Sequence, residues 1–235
     1  NPFRGFRKPK DGKLLVVDPM NGDDHVYVCL DTACNSSCHS RGWRLNMMEK
    51  WAKYDIDLEP FWVSKKVDFY SGIGGEDSAQ MFGRILIPIC LQSLEAAEKD
   101  KSNSFIADMG SNELGGSQLA LLGTDVQRAL GIIVNVIDNV CGYWDAKTNK
   151  YQQVPMYQTE SRLPLIRIDH WPITRKGRFV FTKTLSQYRK QLGKPNAEEI
   201  VANNKIYLYE DRPNPEDTKR YQRINVIPFT LEDMY

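Results

Sequence analysis

The stretch VYVCLDTACNSSCHS, residues 26–40, decides how this chain is interpreted. Its first half is apolar and rich in β-branched residues, which is typical of a buried strand, and Asp31 follows that strand directly. Its second half is small and polar, and it contains Cys34, Cys38 and His39. The stretch therefore offers three candidates for chemistry: the Asp31 carboxylate, a metal site and a reactive thiol.

The metal and thiol candidates have the right atoms in an unfavourable pattern. A zinc site needs ligands that converge on one ion, but the adjacent Cys38 and His39 rarely do so, and no second Cys/His pair follows Cys34 at a finger-like distance. A nucleophile pair of Cys34 or Cys38 with His39 or His170 is also conceivable, yet adjacency in sequence does not provide the catalytic hydrogen bond. Buried structural thiols are much commoner. We therefore expect neither a metal nor a cofactor.

Asp31 is the sharper candidate. A carboxylate at the end of a buried strand is costly unless it is hydrogen-bonded, shares a proton or takes part in catalysis. The two residues that follow, Thr32 and Ala33, are small, and the Thr32 hydroxyl can hold the loop in place. Because aspartates are also common in ordinary turns, Asp31 taken alone does not define a catalytic site.

Outward from this stretch, the chain is a succession of short apolar segments separated by turns. Strands are predicted over residues 13–18, 25–31, 84–91, 104–109, 119–123, 131–138 and 162–172, with a hairpin over 145–149. The small and polar segment 110–118 predicts a loop. Together these segments predict a mainly β domain.

Two short helices interrupt the predicted strands. Trp43, Met47 and Trp51 recur at i, i+4 and i+8, and Leu45 and Met48 broaden that apolar stripe, which predicts an amphipathic helix over residues 43–54. A second helix is predicted over residues 124–130.

Composition excludes several classes of protein. The formal net charge is +1, which gives no electrostatic reason to expect a nucleic-acid partner. No apolar run approaches the roughly 20 residues that span a bilayer, so no membrane span is expected. Five cysteines, an odd and uneven set, favour reduced thiols and an intracellular setting. The chain begins at Asn1, and we expect it to be part of a longer protein.

Four motifs follow one another along the chain in a characteristic order. They are VCLDTAC at 28–34, GIGG at 72–75, ILIPIC at 85–90 and LLGTDVQRALGIIVNV at 121–136. This order resembles the retropepsin-like aspartic proteases, especially those of copia-type retroelements. In that family an apolar strand runs into Asp-Thr/Ser-Gly, a glycine-tipped flap hairpin follows, and an apolar-apolar-Gly motif opens the single helix. The resemblance covers residues 13–140 and extends to 170 at most.

The resemblance implies a fold and a division of the chain. Residues 14–140 would form a closed β-barrel or sandwich with one short helix and a flap hairpin. They would be preceded by a basic arm over residues 1–13 and followed by a mixed α/β extension over residues 141–235.

The resemblance also implies an activity, the hydrolysis of peptide bonds by an aspartic endopeptidase. Asp31 would be the catalytic aspartate, Thr32 would contact its counterpart across a dimer, and Ala33 would be the third residue of the motif. The flap tip that covers a peptide or polyprotein substrate would consist of Gly72, Ile73, Gly74 and Gly75. Because the chain holds one such motif after an apolar strand, the active form would be a homodimer.

One departure from the family pattern supports an alternative. The third residue of the motif is Ala33 where the family has glycine, and Cys34 follows where alanine or serine is common. A methyl group beside the paired carboxylates could obstruct water or substrate. In that case the protein would be a catalytically inactive member of the same fold that serves as a structural or interaction subunit of a larger assembly.

Overall fold

The computed structural model describes residues 1–52, 61–64, 68–70, 79–98, 104–146, 148–171, 205–206 and 227–228. Within these ranges the chain is mainly β with few helices, which confirms the predicted class. Closure of the sheet into a barrel stays a prediction, as does the domain boundary at residue 140.

The strands, in chain order, are β1 (Leu15–Val16), β2 (Tyr27–Leu30), β3 (Cys38–Ser40), β4 (Phe61–Ser64), β5 (Asp68–Tyr70), β6 (Ala79–Gln92), β7 (Ser104–Leu114), β8 (Leu121–Leu122), β9 (Ile133–Asn135), β10 (Val140–Asp145), β11 (Lys150–Val154), β12 (Met156–Gln158), β13 (Pro164–Arg167), β14 (Lys205–Ile206) and β15 (Ile227–Pro228). The helices are α1 (Arg41–Ala52), α2 (Leu94–Glu98) and α3 (Thr124–Ala129), and a short 3₁₀ turn covers Lys10–Gly12.

Ten of these strands form one mixed sheet. Its order is β1-β12-β13-β2-β8-β3-β7-β6-β4, and β5 also pairs with β6. Strands β9, β10 and β11 form a separate three-stranded sheet, and β14 pairs with β15. Strands β12 and β13 follow residue 140 in sequence, yet they lie in the same sheet as β2. The hairpin of β10 and β11, with Asp145 opposite Lys150, confirms the one predicted over residues 145–149.

The centre of the large sheet has an unusual connection. Strand β8 runs parallel to β2, with Leu30 opposite Leu122, and antiparallel to β3, with Cys38 opposite Leu121. Consecutive strands β2 and β3 therefore lie on either side of β8. The Asp31 loop, defined here as residues 31–37, joins them and passes over the point where β8 leads into α3.

Helix α1 covers the sheet with an apolar stripe. Trp43, Met47 and Trp51 are each almost fully buried, as the helical spacing predicts. Leu45, by contrast, is 54% exposed, so the prediction that it broadens the stripe is wrong. The helix begins after Ser40, whose hydroxyl oxygen accepts the N–H of Trp43 at 3.0 Å in the manner of an N-cap.

Strand β7 is longer than its sequence suggests. The segment 110–118 predicts a loop, but residues 110–114 continue β7, and Ser111, Asn112 and Glu113 are fully buried. Residues 110–114 pair with β6 on one side, and residues 112–114 also pair with β3 on the other. Backbone pairing on both edges overrides their polar composition, so the loop prediction is wrong over this part.

The basic arm packs against the small sheet. The Arg7 N–H donates to the Gln153 side-chain oxygen at 2.8 Å, and its guanidinium pairs with Glu98 at 2.8 Å. Lys8 pairs with Asp138 at 2.7 Å. In the part of the chain that the structure describes, no helix combines the length and the apolar character needed to cross a membrane.

Candidate functional site

The Asp31 loop presents its first three residues to solvent. Asp31 is half-buried, whereas Thr32 and Ala33 are exposed. The Asp31 N–H donates to the Leu122 carbonyl at 3.3 Å, and one carboxylate oxygen of Asp31 accepts the Ala33 N–H at 2.9 Å. Asp31 is thus fixed by β8 through its backbone and by a tight turn through its side chain, while its carboxylate stays accessible.

Ala33 is compatible with this backbone. Its φ does not lie in the left-handed region, so the turn does not require glycine at this position. Because Ala33 is exposed, its methyl group lies outside the protein core, beside the Asp31 carboxylate.

The start of α3 holds the middle of the Asp31 loop. The Thr124 N–H donates to the Cys34 carbonyl at 2.8 Å, and the Thr124 hydroxyl donates to the Asn35 carbonyl at 3.3 Å. Gly123 permits this approach, because a Cβ there would lie 2.7 Å from the Ser37 nitrogen and 2.8 Å from the Cys34 oxygen. The glycine of the LLG motif therefore serves close packing of two backbones.

A buried carboxylate holds the end of the loop. One oxygen of Asp125 accepts both the N–H of Ser37, at 2.9 Å, and its hydroxyl, at 2.7 Å. The other oxygen lies 3.6 Å from a guanidinium nitrogen of Arg84 on β6. Arg84 also donates to Ser36 Oγ at 3.2 Å and to the Asn112 side-chain oxygen at 3.0 Å. Strands β6 and β7 and helix α3 thus meet beneath the Asp31 loop in one polar network.

Cys34 in the loop and Cys38 at the start of β3 face each other in an apolar cluster. Cys34 and Cys38 pack with Met81 and Leu114, and the Cys34 thiol donates to the Ser36 carbonyl at 2.9 Å. A hydrogen bond with the Cys34 thiol, together with burial, raises the pKa of the Cys38 thiol. All five cysteines, each within the described residues, are buried thiols. Their surroundings favour the neutral form rather than a reactive thiolate.

His39 belongs to a different network. Its Nδ1 lies 2.8 Å from the Ser111 hydroxyl, and its Nε2 lies 3.6 Å from Glu113. Burial lowers the pKa of His39, an effect that Glu113 opposes. Both imidazole nitrogens thus face residues of β7, so His39 does not supply the hydrogen bond that a Cys/His nucleophile pair needs. Among the described residues, no group of three or more His, Cys, Asp or Glu side chains could hold a metal ion.

Glu113 joins helix α1 to the sheet. Its fully buried carboxylate pairs with Arg44 and, at 3.2 Å, with Arg41. Burial raises the pKa of this carboxyl, but the nearby His39 imidazole and the hydrogen bonds from Arg44 and Arg41 outweigh it and leave the pKa at about 2. Glu113 is therefore ionised at neutral pH and acts as a structural anchor.

His170 and the flap complete the predicted site residues. The Cys90 thiol donates to the His170 carbonyl at 3.1 Å, and burial lowers the pKa of the His170 imidazole to about 3. The predicted flap tip, Gly72 to Gly75, lies outside the described residues. The strands on either side of it are described: β5 and β6 pair antiparallel, with Tyr70 opposite Ala79.

Sequence reasoning missed the residues that hold the Asp31 loop from below. Asp125 lies within the quoted LLGTD motif, so its position after Gly123 was a usable signal. Gln127 lies in the same motif, whereas Arg84 and Asn112 carried no such signal, because only the folded sheet brings them to the loop.

Comparison with known proteins adds no assignment: no family model, no curated protein and no solved structure matches this chain.

Proposed function

We propose that the protein is an aspartic endopeptidase of the retropepsin-like class, active as a homodimer with one Asp31 from each chain. The observation that supports this most directly is the placement of Asp31. Asp31 is half-buried, its backbone is tied to β8 by the bond to Leu122, and α3 supports the second half of its loop through Thr124 and Asp125. A partly exposed carboxylate at a strand end, on a backbone held by hydrogen bonds, is what such a reaction needs.

The chemistry requires two carboxylates that share one proton. Like charges held a few ångströms apart cannot both ionise, so one carboxyl stays protonated while the other acts as a base. The base takes a proton from water, and the water oxygen bonds to the peptide carbonyl carbon as the protonated carboxyl gives its proton to the carbonyl oxygen. The carboxyl that took the water proton then gives it to the nitrogen as the C–N bond breaks, and the other carboxylate takes a proton from the tetrahedral diol. The products are an amine and a carboxylic acid, and the pair again shares one proton.

The second carboxylate is proposed to come from another copy of the chain. Asp125 is the acid that contacts the Asp31 loop, but it is buried and bonded to Ser37 and close to Arg84. It is therefore not available to share a proton with Asp31. The exposed Thr32 and Ala33 leave this end of the loop open to a symmetric partner.

Cleavage assays with a denatured protein and a mixed peptide library between pH 4 and pH 7 test the proposal. We expect acid-favoured cleavage that pepstatin inhibits, and a dimer in sedimentation. Asp31→Asn should abolish cleavage and leave folding unchanged. Asp138→Asn, the same change of acid to amide at an ion pair on the β9–β10 turn, should leave cleavage at the level of the unsubstituted protein.

Two results would contradict the proposal. Cleavage that persists in Asp31→Asn would show that another group is responsible. A folded chain that cleaves nothing at any of these pH values would favour the inactive structural or interaction subunit, whether it sediments as a monomer or as a dimer.

A further inference from the structure

Gln127 is a buried polar residue on α3 that reaches the site. It is 7% exposed, and its side-chain nitrogen donates to the Leu122 carbonyl at 2.6 Å and to the Asp31 carbonyl at 3.1 Å. Both partners are carbonyl oxygens, which only accept hydrogen bonds, so the NH₂ group must face them.

These two bonds join the strands on either side of the site. The Leu122 carbonyl ends β8 and also accepts the Asp31 N–H at 3.3 Å, while the Asp31 carbonyl lies just beyond the end of β2. One amide group therefore connects the two parallel strands at the residue where the loop begins. The backbone of Asp31 is held on both sides, through its N–H by Leu122 and through its carbonyl by Gln127.

We infer that Gln127 is a positioning residue for the Asp31 carboxylate. It does not touch a substrate peptide bond, but it fixes the backbone that carries the reacting group. This inference rests on the proposed endopeptidase activity for its kinetic consequence, whereas its structural part concerns this chain alone.

The chemistry of the amide makes the role specific. An apolar side chain of similar length would fill the same volume but leave the Asp31 carbonyl without this donor. An ionised carboxylate would face the two carbonyl oxygens with no hydrogen to donate, and it would regain one donor once protonated. Packing alone does not distinguish these cases, but hydrogen bonding to Asp31 does.

Gln127→Met and Gln127→Glu test the inference, with Gln153→Met as the matched control. The Gln153 amide also joins two segments, because it exchanges hydrogen bonds of 2.8 and 2.6 Å with the Arg7 backbone, but it lies on β11. We expect Gln127→Met to lower kcat about tenfold to a hundredfold, with KM changed less than twofold, since small misplacements of a reacting group have effects of this size. Gln127→Glu should lose activity at neutral pH and recover it as the pH falls and the introduced carboxyl is protonated.

Amide hydrogen exchange provides a readout that does not depend on activity. In Gln127→Met the Asp31 and Ala33 amides should exchange at least about tenfold faster, whereas amides of β10 should be unchanged. Gln153→Met should change neither the exchange at Asp31 nor kcat.

The outcomes separate the inference from the proposed function. If the unsubstituted protein cleaves nothing, the endopeptidase proposal fails, and unchanged exchange at Asp31 and Ala33 would overturn the structural part as well. If Asp31→Asn is inactive but both Gln127 variants keep the original kcat, pH profile and exchange rates, the inference is wrong while the endopeptidase stands. Faster exchange with an unchanged kcat would also overturn the positioning role.

Discussion

Ser37 and Asp125 are 88 residues apart in sequence, yet one carboxylate oxygen of Asp125 accepts both the backbone N–H and the hydroxyl of Ser37, at 2.9 and 2.7 Å. The Ser37 hydroxyl oxygen in turn accepts the Gly123 N–H at 2.9 Å. This arrangement closes the Asp31 loop at its far end. The far end of the loop that presents Asp31 is therefore packed against α3 and the sheet.

We expect Asp125→Ala to be strongly destabilising. It would remove the acceptor of buried hydrogen bonds from Ser36, Ser37 and Val126, and it would take the carboxylate away from the Arg84 guanidinium, whose side chain is 14% exposed. Breaking a buried charged pair in this way costs about 3 kcal/mol. Urea denaturation followed by fluorescence measures the loss. Asp125→Asn keeps an acceptor for Ser37 and should lose less.

The matched control is Asp138→Ala, which removes the partner of Lys8 on a more exposed surface. Such ion pairs contribute less than about 1 kcal/mol. If Asp125→Ala and Asp138→Ala had equal free energies of unfolding, the network beneath the Asp31 loop would contribute no more to stability than the ion pair of Lys8 and Asp138.

Gly123→Ala tests the close packing of the loop against α3. The added methyl group would meet backbone atoms of Ser37, Ser36 and Cys34 at 2.7–2.8 Å, and backbone cannot move aside as a flexible side chain can. Overpacking of this kind costs about 1–3 kcal/mol. We expect a lower thermal midpoint together with faster amide exchange in the Asp31 loop.

Gly115→Ala is the control for that change. A Cβ at Gly115 would meet the Phe82 ring at 3.6 Å, an ordinary contact, and the residue has no positive φ. Its thermal midpoint should match that of the unsubstituted protein. An equal loss in both variants would mean that the cost comes from glycine replacement in general.

The sequence predicts the individual helices and strands of this fold better than it predicts which of them pair or pack together. The burial of Trp43, Met47 and Trp51 follows from helical spacing, and β2 from its β-branched run, because both signals are local. Strand β9 is shorter than the predicted 131–138, since the Asn135 side chain accepts the N–H groups of residues 137 and 138 and starts a turn there.

The supports of the candidate site depend on long-range pairing that no local pattern encodes. Glu113 is polar and follows a glycine-containing segment, so composition predicts a loop. Its burial depends on His39 from β3 and on Arg41 and Arg44 from α1. In the sequence, Gln127 is an ordinary polar residue of a short helix. Its role depends on β8, which places the Leu122 carbonyl where the Gln127 side-chain amide can donate to it. Local pattern singles out Asp31 as a candidate, whereas the contacts that hold its backbone depend on the folded sheet.

We expect the thiols to be unreactive in the folded protein. Burial raises the pKa of Cys29 to about 11, and burial raises that of Cys141 to about 12, so the thiolate fraction is small at pH 7.5. Labelling with iodoacetamide, followed by intact mass, should be at least about a hundredfold slower in buffer than in urea. Ser161→Cys places one thiol on the exposed β12–β13 turn and should label at the rate of a free peptide thiol.

Rapid labelling of Cys34 or Cys38 in the folded chain would contradict this expectation. It would also revive the reactive-thiol alternative, because Cys34 lies in the Asp31 loop and Cys38 directly follows that loop at the start of β3. Cys34→Ser and Cys38→Ser would then have to be tested for activity beside Asp31→Asn.

Stability should fall in acid because of Glu113. The pKa of this carboxyl in the folded chain is about 2, below its usual 4.5. Burial raises the pKa, but the nearby His39 imidazole and the hydrogen bonds from Arg44 and Arg41 outweigh that effect. A group whose folded-state pKa is lowered contributes its stabilisation fully above the unfolded value and loses it as the pH falls towards the folded one. The contribution of Glu113 is therefore present above about pH 4.5 and lost between about pH 4.5 and pH 2, and it amounts to about 3 kcal/mol.

Urea denaturation at pH 7, 4 and 3 should show Glu113→Gln less stable than the unsubstituted protein at pH 7, with a difference that shrinks towards pH 3. Glu98→Gln, which alters an exposed pair with Arg7, should show little difference at any of these pH values. A constant gap between Glu113→Gln and the unsubstituted protein from pH 7 to pH 3 would show that the loss comes from packing rather than from the charge of Glu113.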